Sequence, residues 1–319
     1  MKKIILICCM LVVVLANAQS STVPDSSPKI DISAYVSPYQ VEDMTDIARN
    51  NLENKLSQII TSSGLGVSSE NSRFIITANI VVLSKDITPT APPMQAYTLG
   101  VNLYIGDGME GIKFSNCSVT LKGVGENETK AYMSALKNLK IEDPKYQDFI
   151  EKAKVKIVEY YNRKCDLIIK DAKLLASQNQ FDAALFKLAT IPDVCKACYD
   201  KSTLESKVIY KQYINYDGKT KLTQAKNIWA KLQNEDGAYS ASQYLIEIDP
   251  NSTSYTEAKA LTNSIGAKIL ADNNKEWSFK LKVYQDEIAA NKATLQAERD
   301  IATAYAKSIS VDYIVTGWW

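Results

Sequence analysis

The sequence predicts an α+β chain: an amino-terminal β-α-β-β-β-α sandwich-like domain followed by an all-α domain of helical hairpins. Three observations carry this. Period-2 apolar alternation recurs in separate segments between residues 30 and 122, helical spacing of apolar residues dominates from Pro144 onward, and the stretch Ser118–Leu136 passes from an alternating strand through Gly123 and Gly125 into a helix marked by Ala131 and Ala135. With 319 residues, 46% of them hydrophobic, the chain is long enough for two cores.

The first residues read as an export signal. Lys2 and Lys3 precede the apolar run Ile4–Leu15, and Ala16-Asn17-Ala18 supplies small residues before a cleavage site, so residues 1–18 form the signal and Gln19 opens the mature chain. The run is shorter than the roughly 20 residues a spanning helix needs, and no transmembrane segment is expected after cleavage. Residues 19–29, rich in Ser and Pro, form a flexible leader.

The domain expected over residues 30–142 follows element by element. Ile30, Ile32, Ala34 and Val36 alternate with polar neighbours as one strand, which Pro38 ends. Apolar positions 41, 44, 47, 48, 52, 56, 59 and 60 share one helical face, with Gly64 and Gly66 just beyond. Phe74–Leu83 is an apolar strand, and Tyr97, Leu99, Val101, Leu103 and Ile105 alternate in the next. The turn Gly106–Gly111 leads into a strand over Ile112–Lys122, where a shift of apolar parity predicts a bulge near Ser115 or Asn116. Asn127–Leu139 is the second helix. Gly123 and Gly125 are expected to permit turn angles closed to other residues.

Residues 143–308 read as helical hairpins. Helical spacing from Tyr146 to Leu175 predicts one helix of about nine turns, ending near Gln178-Asn179-Gln180. Phe181–Leu188 begins its antiparallel partner, and a related arrangement recurs over Tyr239–Pro250. From Lys275 a last long helix is expected, with a 4-3 repeat through Trp277, Leu281, Tyr284, Ile288, Asn291, Leu295, Glu298, Ala302 and Tyr305. Residues 309–319 form a tail that alternates at Val311, Tyr313 and Val315, the pattern of an added sheet strand.

Chemistry is constrained mainly by what is missing. The chain has no histidine, which excludes His-dependent triads and His-ligated metal centres. Gly123-Val124-Gly125 lacks the third glycine of a dinucleotide fingerprint and the lysine of a P-loop, so it reads as a packing turn. Asp107, Glu110, Glu126 and Glu128 lie near turns, where solvated charge is the ordinary role and a calcium cluster the rarer one. No catalytic, cofactor-binding or metal residue is assigned. Loss of Lys2 and Lys3 with the signal takes 37 basic residues to 35 against 36 acidic ones, which offers no attraction to nucleic acid.

The mature chain keeps Cys117, Cys165, Cys195 and Cys198. In an oxidising compartment Cys195 and Cys198 can close a local disulfide; buried thiols are the alternative. Among 18 tyrosines, Tyr199, Tyr210, Tyr213 and Tyr216 form a candidate partner surface, since tyrosine joins apolar area to a polar tip. Core packing is the competing role.

On Ser118–Lys122, Gly123-Val124-Gly125, Ala131, Ala135 and Leu136, and on element order, residues 30–140 resemble the envelope α/β domain shared by the curli secretion lipoprotein CsgG, the penicillin-binding-protein activator LpoB and the amino-terminal domain of TolB. The second half is similar to tetratricopeptide hairpins at Leu175-Ala176, Phe181, Ala183, Ala184, Leu185 and Ala258, though its spacing exceeds that family's ~34 residues. The resemblance implies an exported, non-catalytic adaptor of the bacterial envelope, periplasmic, outer-membrane-associated or secreted, with envelope proteins as partners. The chain departs from a CsgG-like channel in having no lipid-anchor cysteine after the signal and no pore-forming insertion. A self-assembling homo-oligomer is the alternative, and an enzyme acting on cell-wall polymer a third.

Overall fold

The structure, a computed structural model, describes residues 30–37, 44–64, 72–273, 277–283, 286–309 and 313–319. The signal and leader expected at residues 1–29 lie outside the described residues, as does Tyr284.

The chain is α+β. A four-stranded sheet of order β1-β2-β3-β4 is built from β1 (Ile32–Ala34), β2 (Phe74–Thr88), β3 (Met94–Asp107) and β4 (Ile112–Gly125). β1 pairs in parallel with the start of β2, Ile32 opposite Phe74, after a crossover through α1 (Asp46–Ser62). The other pairings are antiparallel. α1 and α2 (Glu128–Lys137) lie on one face, burying Leu52, Leu56, Ile59 and Leu136 against Leu99, Val101 and Leu103.

The bulge in β4 falls at Phe114, one residue before the expected site, because Ser115 opposes Ile105 while Lys113 opposes Gly106. The extra residue turns Phe114 into the core, 6.2 Å from the Phe74 ring and 5.7 Å from Tyr160. Gly123 and Gly125 stand within β4, and neither has a positive φ. Their role differs from the turn expected of them: a Cβ on Gly123 would lie 2.3 Å from the Ala131 carbonyl oxygen, and one on Gly125 2.3 Å from the Ala131 nitrogen. The glycines let the α2 backbone rest on the strand.

α3 (Pro144–Ser177) has Asp143 as N-cap, its carboxylate accepting from Lys145 N–H, with Pro144 in the first turn. At its end Asn179 adopts φ 60°, with Gln180 N–H donating to Leu175 O and Asn179 N–H to Ala176 O. This Schellman closure reverses the chain into α4 (Phe181–Ala189). The amino-terminal half of α3 packs on the sheet: Tyr146, Phe149, Ile150, Ala153, Ile157 and Tyr161 share one buried cluster with the strands. The apolar core therefore runs across position 143 without a break.

α5 (Lys196–Lys231) joins that core at Cys198, a second one with α3 and α4 at Ile209, Tyr210 and Ile214, and a third at Leu222, Ala225 and Trp229. The third core also takes α6 (Glu235–Leu245) and α7 (Tyr255–Asn273).

The last helix, α8 (Glu287–Ser308), begins a dozen residues later than the repeat from Lys275 suggested. Residues 277–283 form neither helix nor strand. Trp277, Phe279 and Leu281 are partly buried against the third core, while Ser278, Lys280 and Lys282 face solvent. This alternation is a period-2 signal that the longer heptad pattern masks. Asp286 then caps α8 by accepting from Ala289 N–H. Ile288 is exposed, while Ala302 and Tyr305 pack toward α4 within the chain.

The carboxy-terminal segment also differs from expectation. Tyr313–Trp319 joins no strand ladder. It lies on the sheet face opposite α1 and α2, where Val315 and Trp318 are buried against Ile75 and Tyr104. A turn at Gly317, φ 87°, carries Trp318 back into the protein, and its indole N–H donates to Gly111 O.

Candidate functional site

An opening lies where the sheet meets the helical half. Its centre is Arg73, immediately before β2. Asp107 closes β3, and its Oδ1 accepts from the N–H groups of Met109 and Glu110 at 3.0 Å each, which shapes the β3–β4 turn. Its Oδ2 accepts from Arg73 Nε at 2.6 Å, and Arg73 Nη2 reaches Glu110 at 3.1 Å. The guanidinium stands over the Tyr161 ring at 5.9 Å. Burial works against the Arg73 charge, yet the Tyr161 ring, Asp107 and Glu110 outweigh it and raise the pKa. Burial pushes the Asp107 carboxyl up, and Arg73 and the turn N–H groups pull it back.

Two hollows meet at this arginine. The first, about 530 Å³, lies between Ile30, Ser72, Phe74 and Met109 on the sheet side and Phe186, Ile191, Pro192, Arg299, Ala302 and Ala306 on the helical side. The second, about 380 Å³, runs along α3 and α4 past Tyr160, Lys164, Ala183 and Lys187 to Tyr305. Arg73, Phe186 and Thr190 belong to both, so the two form one cleft, ionic at its centre, whose helical wall sets Phe186, Ile191 and Ala302 beside the charges of Lys164, Asp171, Lys187 and Asp193. Sequence pattern could not find it, because its walls come from residues more than 200 positions apart.

The four turn carboxylates do not converge. Asp107 and Glu110 are held by Arg73, Glu126 pairs with Lys130, and Glu128 accepts from Lys85 and the Tyr97 hydroxyl. Among the described residues, no group of three or more Cys, Asp or Glu is placed to hold a metal ion.

The tyrosines divide. Tyr210, Tyr213 and Tyr216 follow one another along α5 around Phe181, whose ring lies 5.9 Å from Tyr213 and 5.7 Å from Tyr216. Tyr210 is buried, Tyr213 half-buried and Tyr216 exposed. Tyr199 stands apart, packed against the sheet-side core.

The cysteine pairing differs from the local one expected. Cys198 is bonded to Cys165 of α3, Cα to Cα 5.6 Å, and Cys195 is a buried thiol. The first turn of α5 packs on α3, which aims Cys198 across the helix pair, while Cys195, the residue before α5, faces the core. Burial pushes the Cys195 thiol up to about 11. A signal for the real pair was present: Tyr161, Cys165, Ile168 and Ala172 follow helical spacing on the buried face of α3.

No family model matches the chain, and no curated protein matches it. Among solved structures it is similar to a minor lipoprotein from Acinetobacter baumannii, at 15% identity and a TM-score of 0.25, covering 40% of this chain and 94% of that one. A likeness at that level carries no argument about fold or function. No helix among the described residues is long and apolar enough to cross a membrane.

Proposed function

We propose that the chain is an exported, non-catalytic adaptor of the bacterial cell envelope, and that the cleft around Arg73 holds a segment of an envelope protein. The observation that carries this reading is the cleft's composition. Phe186, Ala302 and Ala306 from α4 and α8 face Arg73, whose guanidinium is already paired with Asp107 and Glu110, so the site offers apolar burial beside a fixed ionic group. The amino-terminal signal pattern supports export, and the resemblance of residues 30–140 to the CsgG, LpoB and TolB domains supports an assembly or activating role.

Amine cross-linking on the mature protein in the envelope of its host tests the reading, because Lys164 and Lys187 line the cleft. Stoichiometric cross-links from these lysines to one foreign protein, lost when Ala302→Arg fills the cleft, are the expected result. Cross-links that persist unchanged in the variant would sink it.

A further inference from the structure

The outer face of the sheet carries a second recognition surface, and the chain's own tail fills it. Among the described residues, Tyr313–Trp319 makes its hydrogen bonds and ring contacts outside the segment itself with the sheet side. Ile314 N–H donates to Gly108 O at 2.6 Å, the Tyr313 hydroxyl to Ser72 O at 3.0 Å, and Lys113 Nζ to Trp318 O at 2.7 Å. The Tyr313 ring meets Tyr35 edge-on at 4.7 Å. Glycines give the groove its depth. A Cβ on Gly106 would lie 2.4 Å from the Trp318 ring, and one on Gly108 2.5 Å from the Tyr313 ring. A groove cut to aromatic side chains, with fixed carbonyls and one ammonium reading the backbone, has the features of a peptide-binding site.

We propose that this groove is a self-sufficient site for the Tyr313–Trp319 segment and that it takes the tail of a second copy, linking copies by exchange. The helix that precedes the tail, α8, packs on α4 and α5, and the buried cluster that holds Val315 and Trp318 is made with sheet residues. The groove cannot tell whose tail it holds. Exchange preserves each groove contact, and local concentration then decides between own tail and neighbour's.

Two experiments test this. A chain ending at residue 309, checked for folding by circular dichroism, is mixed with an intact chain carrying Gly108→Val, whose groove is blocked while its tail is free. A one-to-one complex by light scattering is expected, together with micromolar binding of a synthetic 310–319 peptide to the shortened chain, weakened at least tenfold by Gly108→Val. Absence of both from a folded shortened chain overturns the proposal. The second needs no variant: equal amounts of ¹⁵N-labelled and unlabelled full chain are cross-linked between Lys113 and Lys307, which flank the tail. Mixed-label pairs support exchange, and pairs of one label alone overturn it.

Discussion

The Asp107 carboxylate is wholly buried and serves two elements at once, capping the β3–β4 turn with one oxygen and anchoring Arg73, 34 positions earlier, with the other. The pair ties the start of β2 to the end of β3 at the centre of the cleft. Removing the cation alone strands a buried charge. We expect Arg73→Met to destabilise the fold by about 3 kcal/mol, measured by urea unfolding. Asp107→Asn should cost less, because an amide oxygen still accepts from the turn. Equal costs for the two would refute this account.

Glu298 on α8 is buried against α4 and α5, and its Oε1 has no hydrogen-bond partner. Burial raises its pKa, and Lys207 and Arg299 offset this only in part. Between the ordinary glutamate value and the raised one, the folded chain keeps a proton that the unfolded chain has released. Stability therefore falls as pH rises through that window. Glu298→Gln should raise stability at pH 7 by on the order of 1 kcal/mol and leave it unchanged at pH 4. Thermal melts at the two pH values decide; a gain of equal size at both would show that the charge is irrelevant.

Cys165–Cys198 closes a loop of 33 residues that contains α4. Cys165→Ser should lower stability by roughly 3–4 kcal/mol, whereas Cys195→Ser should leave the bond intact. Peptide mapping of the oxidised protein checks the pairing directly: a 195–198 linkage in the wild type would contradict it.

Gly123→Ala is expected to cost about 3 kcal/mol or more, because the methyl group meets the backbone of α2, which cannot yield as a side chain does. Val124→Ala, at an exposed position between the two glycines, serves as the control. Calorimetry showing similar small effects for both would mean that α2 does not rest on the strand as described.

The local elements were legible in the sequence, and the relations between distant ones were not. Alternation located β3 closely, and 3.6-residue spacing placed both ends of α3 within a residue or so, since each signal lies within the segment it describes. Trp277–Val283 misled because two of its apolar residues, Trp277 and Leu281, also fit a helical repeat, and only the burial of the segment shows which period operates. The partner of Cys198 and the resting place of Trp318 depend on how helices and sheet meet. No local pattern records that. The cleft was invisible for the same reason.

A single unbroken α3 passes from the sheet into the helical half, and helices resist bending far more than loops do. α3 gives Tyr161 to the core it shares with the sheet and Ala172 to the core it shares with α4 and α5, so one continuous helix is common ground to both, and a segment bound beside Tyr160 as proposed would rest on the element the two cores have in common.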